Sequence, residues 1–145
     1  MPMPPALVRR LVVPLLLAAA SPVAAEGDWA RAGERPAGAV FVDQMSVQRE
    51  RDRVRFVARV DLARAERLSR GGREFRSVIV DASAKCGSQQ FATARTAYYA
   101  LPGGRGDKIG EFAAPVETWH FASLPPEGSP ERMMFDFVCA KAARS

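Results

Sequence analysis

The chain has 145 residues with a formal net charge of +5, two cysteines and a single histidine. That length excludes more than one ordinary domain. The scarcity of Cys and His excludes a four-ligand structural zinc site without other donors.

The first segment, MPMPPALVRRLVVPLLLAAASPVAAEGDW, places Arg9 and Arg10 before the apolar run Leu11 to Ala20. Small residues then lead to Ala25. This order predicts a secretory signal peptide, residues 1–25, cleaved before Glu26. A spanning helix needs roughly 20 apolar residues, and Pro14 interrupts a shorter run, so no transmembrane segment is expected after cleavage. Removing residues 1–25 leaves a single domain, 26–145, and lowers the net charge to +3. Both signs are mixed, as in QRERDRVR, which argues against a nucleic-acid partner. In an oxidising compartment two cysteines without a Cys-x-x-Cys spacing predict a Cys86–Cys139 disulfide.

Along the mature chain, Glu26 to Gly38 reads as an extended lead-in and Ala39 to Asp43 as a strand. RERD follows as a hairpin turn. VRFVARVDL alternates Val54, Phe56, Ala58, Val60 and Leu62 with a mostly charged set, predicting an antiparallel strand with one wet face. Ala63 to Arg73 reads as a polar loop closed by Gly71-Gly72. EFRSVIVDASAKC is a strand and Gly87-Ser88 a tight turn, with QQFATARTAYYA as the return strand. LPGGRGDK reads as a second loop before a short strand, KIGEF. Ser129 as N-cap, Pro130 at the first position and Glu131 in the first turn predict a helix. Its apolar stripe is Met133, Met134, Phe137 and Val138. The expected fold class is α+β, a single antiparallel sheet with a C-terminal helix packed on one face.

Four features invite a functional reading. Arg49, Arg51, Arg53, Arg55 and Arg59 lie at odd positions. Of these, Arg53, Arg55 and Arg59 are the candidate binding face, suited to anionic glycans, lipid headgroups or acidic protein patches. The same charges also suit a solvated strand face or a protected edge. Arg105-Gly106-Asp107 is an integrin ligand when displayed on a loop tip, and so a candidate loop contact, though a Gly-rich turn needs such residues anyway. Trp119 with Tyr98-Tyr99 suggests an aromatic surface, but alternation sends the two tyrosines to opposite faces. His120 has no motif partner, and no G-x-S-x-G or His-Glu-x-x-His pattern is present. The expectation is a non-enzymatic protein without metal or cofactor.

VFVDQMSV, the basic strand, RSVIVDASAKC, TARTAYYA, the Gly-rich loop, Trp119, PPEGSPE and the terminal FVCA occur in an order that resembles the surface-adhesin protein E family of exported bacterial proteins. The resemblance runs from about Trp29 to Cys139. It implies a small sheet crossed by a helix, the same Cys86–Cys139 pairing, a role in binding proteins, and members that can dimerise. The chain departs from a surface-anchored adhesin because no lipid-attachment cysteine follows the predicted signal peptide. A soluble periplasmic protein is therefore expected ahead of surface display, with an accessory envelope role as the alternative to adhesion.

Overall fold

The computed structural model describes residues 27–115 and 119–144. The predicted signal peptide lies outside the described residues. Eight strands form one antiparallel sheet: β1 (Trp29–Arg35), β2 (Gly38–Asp43), β3 (Gln48–Glu50), β4 (Arg53–Arg67), β5 (Glu74–Lys85), β6 (Gln90–Leu101), β7 (Arg105–Ala113) and β8 (Ala122–Ser123). Their order is β1-β2-β4-β5-β6-β7, with β3 alongside β4 and β8 alongside β6. One helix, α1 (Pro130–Ala143), covers one face, packing mainly against β1, β2 and β4. The expected fold class is the one observed.

The alternation of β4 explains the layering. Val54, Phe56, Ala58, Val60 and Leu62 are buried and meet Val40 and Val42 of β2 and Met134, Phe135 and Val138 of α1. The opposite side of the same strand carries Arg53, Arg55, Val57, Arg59 and Asp61 and forms an outer face away from the helix. β2 and β3 lie along β4 in succession, interrupted by one 3₁₀ turn at Gln44–Ser46. At that break the Val57 N–H donates instead to the Ser46 hydroxyl, at 2.8 Å. Asp43 caps the turn by accepting from Met45 N at 3.1 Å.

Three segments differ from the sequence expectation. Trp29–Arg35 is a paired edge strand rather than a lead-in, with a register irregularity between Arg31 and Gly33. Gly33 matters here because a Cβ on it would lie 2.5 Å from the Met133 sulfur, so its bareness lets α1 lie close to the sheet. β4 continues to Arg67 through the expected polar loop. Pairing with β5 resumes at Glu66↔Phe75 and Arg67↔Glu74 although residues 63–67 are all exposed. β7 begins at Arg105, so the second loop shrinks to Pro102–Gly104.

The helix begins where its capping residues predict. The Ser129 hydroxyl accepts from Arg132 N at 3.2 Å, and Pro130 follows in the first turn. Met134, Phe135 and Val138 are its buried positions, with Met133 and Phe137 packed at the margin. Phe135 therefore joins the predicted stripe. Cys139 is bonded to Cys86, just beyond β5, with the two Cα atoms 5.6 Å apart. The staple ties the helix to the end of a central strand.

Candidate functional site

Three arginines of β4 share the outer face, and each guanidinium lies over an aromatic ring. Arg53 is 5.5 Å from the Phe121 centroid and Arg55 is 5.3 Å from that of Trp119. Arg59 stands between two rings, 4.8 Å from Trp29 and 4.5 Å from Phe41. Trp29 comes from β1 and Phe41 from β2, and Phe41 is the direct cross-strand neighbour of Arg59. Trp119 and Phe121 lie just before β8 and over the outer face, and β8 pairs with the first residues of β6. The Trp119 indole N–H donates to Ala114 O at 3.0 Å. Lys85 completes this end, its ammonium 4.3 Å from the Phe121 centroid.

The candidate arginines are not equivalent. Arg59 lies 3.1 Å from Asp61, and its side chain is only 13% exposed. Asp61 also accepts from Gly103 N at 2.9 Å, and the buried Ser77 hydroxyl accepts from Gly104 N at 2.9 Å. These bonds tie the β6–β7 turn onto the outer face beside Arg59. Arg59 is thus a packing element of this face. Arg55 remains 45% exposed and pairs with Glu50 at 3.3 Å. Arg53 has no carboxylate partner among the described residues.

Arg49 and Arg51 do not join this face. Arg49 pairs with Val54 and so shares the helix side of the sheet, because β3–β4 pairing matches odd positions with even ones. Arg51 sits in the intervening turn with φ +49°. The tripeptide Arg105-Gly106-Asp107 opens β7 rather than crowning a loop. Arg105 pairs with Leu101, and Asp107 is held by Arg73 at 2.9 Å. The two tyrosines do part. Tyr98 packs edge-on to Phe75 with centroids 4.9 Å apart, while Tyr99 pairs with Ser77 on the other side. His120 is exposed beside Trp119.

A second ionic group extends the outer face over β5, β6 and β7. Arg95 donates to Asp81 at 2.8 Å and to Glu111 at 3.3 Å, and Lys108 donates to Glu111 at 2.6 Å. The Lys108 hydrogen bond, aided by Arg95, holds the Glu111 carboxyl below its ordinary pKa. The same contact raises Lys108.

Chemically, the face offers fixed N–H forks and ring surfaces. Guanidinium groups stay protonated throughout the physiological range, so this constellation binds and orients but does not relay protons. Among the described residues, no group of three His, Cys, Asp or Glu is disposed to hold a metal ion. No helix among them is long and apolar enough to cross a membrane. The arginines were legible in the alternation of β4. Their rings were not, because Trp29, Phe41, Trp119 and Phe121 reach them only through sheet pairing and a chain crossing.

The family profile described as surface-adhesin protein E matches residues 29–140. Haemophilus influenzae protein E has a similar fold. One structure is 20% identical, covering 86% of this chain and 94% of that chain, with a TM-score of 0.57. Its crystal form II is also 20% identical, covering 77% and 94%, with a TM-score of 0.54. Protein E from non-typeable Haemophilus influenzae is 19% identical, covering 83% and 89%, with a TM-score of 0.51. No curated protein matches the chain.

Proposed function

Because the chain belongs to the surface-adhesin protein E family, we propose that it works after export as a non-enzymatic binding protein, with the arginine–aromatic outer face as its contact surface. The observation that carries this reading is the stacking of Arg53 and Arg55 on Phe121 and Trp119. Such contacts hold a guanidinium in place with N–H groups left to donate, although Arg55 already gives one of its own to Glu50 at 3.3 Å. Anionic glycans, or acidic patches on another protein, match that chemistry. Export rests on the pattern of residues 1–25, and the periplasm is the favoured compartment. Arg105-Gly106-Asp107 contributes little to this reading, since Asp107 is already engaged by Arg73.

The test is the double charge reversal Arg53→Glu/Arg55→Glu, assayed against anionic glycans and envelope extract. Both side chains lie at the surface of the outer layer, so the variant should fold. Ligands captured by the unaltered protein should then be lost. Capture at the original level by a folded double variant removes this face from consideration.

An accessory envelope role is the second reading, favoured by the β7 edge. There Phe112 is 64% exposed and stands edge-on to Tyr98, with centroids 6.1 Å apart. Exposed aromatic rings at a sheet edge suit a protein neighbour. This reading predicts co-purification with envelope proteins, and recovery solely as a free monomer counts against it.

A further inference from the structure

Unneutralised charge is concentrated at one end of the sheet, beyond the outer face. Two hairpin turns meet there, Arg51-Asp52 between β3 and β4 and Gly87-Ser88 between β5 and β6. A cleft of about 370 Å³ between them is lined by Arg49, Arg51, Asp52, Arg53, Cys86 and Ser88. That volume falls within the range of small-ligand sites, roughly 300–1,000 Å³.

The three arginines reach the cleft from different directions. Arg49 comes from the helix side of the sheet, Arg53 from the outer side, and Arg51 from the turn between them. None has a carboxylate partner among the described residues. Glu50 is engaged by Arg55 at 3.3 Å, and Asp52, which lines the same cleft, reaches Lys85 at 3.5 Å, so the cleft sets three arginines against one carboxylate. The net positive charge left around the cleft attracts an anion.

Arg51 has φ +49°, a conformation that glycine adopts without strain and arginine does not. The turn therefore keeps a long cationic side chain where its backbone favours glycine. Gln89 in the facing turn has φ +54°, so the conformation belongs to tight hairpin turns and glycine would suit the Arg51 position.

We propose that this cleft binds the phosphate group of a phosphomonoester. A carboxylate offers two coplanar oxygens and one charge, enough for a single guanidinium fork. A phosphomonoester carries about −1.5 to −2 charges and three strong acceptor oxygens, which suits N–H groups arriving from three sides. Val54, Cys86 and Ala142 supply apolar wall for the attached carbon skeleton. The ester has two candidate sources, a soluble sugar or glycerol phosphate and a lipid headgroup of the envelope. This site goes beyond the outer face proposed above. Arg53 is common to both sites, but Arg49 and Arg51 belong to the cleft alone, so loss of phosphate binding in their variants with outer-face capture retained separates the two.

The experiment uses the mature chain, residues 26–145, at pH 7.5 and constant ionic strength. Glycerol 3-phosphate is titrated against acetate while the arginine Nε resonances are followed by NMR. In parallel, phosphatidylcholine vesicles with and without phosphatidic acid are tested by co-flotation. Saturable shifts with glycerol 3-phosphate and not with acetate are expected. Arg49→Ala and Arg51→Gly should each weaken binding roughly tenfold or more, the worth of a charge-assisted hydrogen bond, while Arg31→Ala at the far edge changes nothing. Arg51→Gly keeps the fold, since glycine suits that backbone. Flotation with phosphatidic acid and no response to the soluble ester identifies a headgroup as the source. Equal responses to phosphate ester and acetate, no binding in either arm, or wild-type affinity in Arg51→Gly overturns the proposal.

Discussion

Arg59 and Arg55 lie on the same strand and face, yet their surroundings give them different roles. Arg59 is enclosed by Trp29, Phe41 and Asp61, whereas Arg55 has one ring and one exposed carboxylate partner. Truncating Arg59 leaves two rings unpacked and Asp61 without its cation. Arg59→Ala should therefore lower stability by about 1–3 kcal/mol, and Arg55→Ala by less than about 1 kcal/mol. Thermal unfolding of the two variants checks this, and equal losses would contradict the packing role of Arg59. Glu111 gives a pH-dependent counterpart. Its pKa is lowered in the folded state, chiefly by the Lys108 hydrogen bond. Its contribution is thus present above the ordinary carboxylate value, about 4.3, and is lost as pH falls through the lower folded value. Glu111→Gln should lower stability slightly at neutral pH, leave it unchanged at the acid end where the carboxyl is protonated in both states, and so flatten the acid limb of the stability profile. An unchanged acid limb would show that these surface pairs contribute nothing. At this scale the sequence located the outer arginines by parity along one strand. Parity does not carry through the β3–β4 turn, which is why Arg49 lies with Val54 on the other side.

Among the elements, α1 shows how a short amphipathic segment is held at both ends. Its N-terminus is capped by Ser129, its middle is buried at Met134, Phe135 and Val138, and Cys139 ties its later turns to the end of β5. The bridged cysteines are 53 residues apart. Closing a loop of that length in the unfolded chain is worth about 4 kcal/mol in the chain-entropy account. Cys86→Ser/Cys139→Ser should lower stability by that order, read as a reduced midpoint in denaturant. A midpoint equal to that of the oxidised protein would contradict the stapling role. The helix and its cap were legible because capping and apolar spacing are local signals. β1, the end of β4 and the start of β7 were not. WARAGER has little strand propensity, residues 63–67 are exposed and polar, and Arg105-Gly106-Asp107 has the composition of a turn. Each becomes a strand through hydrogen bonds to a neighbour far along the chain.

The whole molecule is a sheet with two unlike sides. The helix closes the apolar side over β1, β2 and β4, while the outer side is sealed by arginine–ring stacks, ion pairs and the inturned β6–β7 turn. The charged outer side therefore has a rigid support, as a binding surface requires. The fold class and the strand carrying that surface followed from alternation and composition. Its completion by residues 119–121 depended on a chain crossing that has no periodic signal. The most direct measurement is site-specific photo-crosslinking in native cells, with the reactive group placed at position 120 beside Trp119 and, separately, at position 136 on the exposed side of α1. Partner adducts are expected from position 120, lost in the Arg53→Glu/Arg55→Glu background, and none from position 136. Adducts from position 136 alone, or adducts at position 120 that survive the double charge reversal, would contradict binding at the outer face.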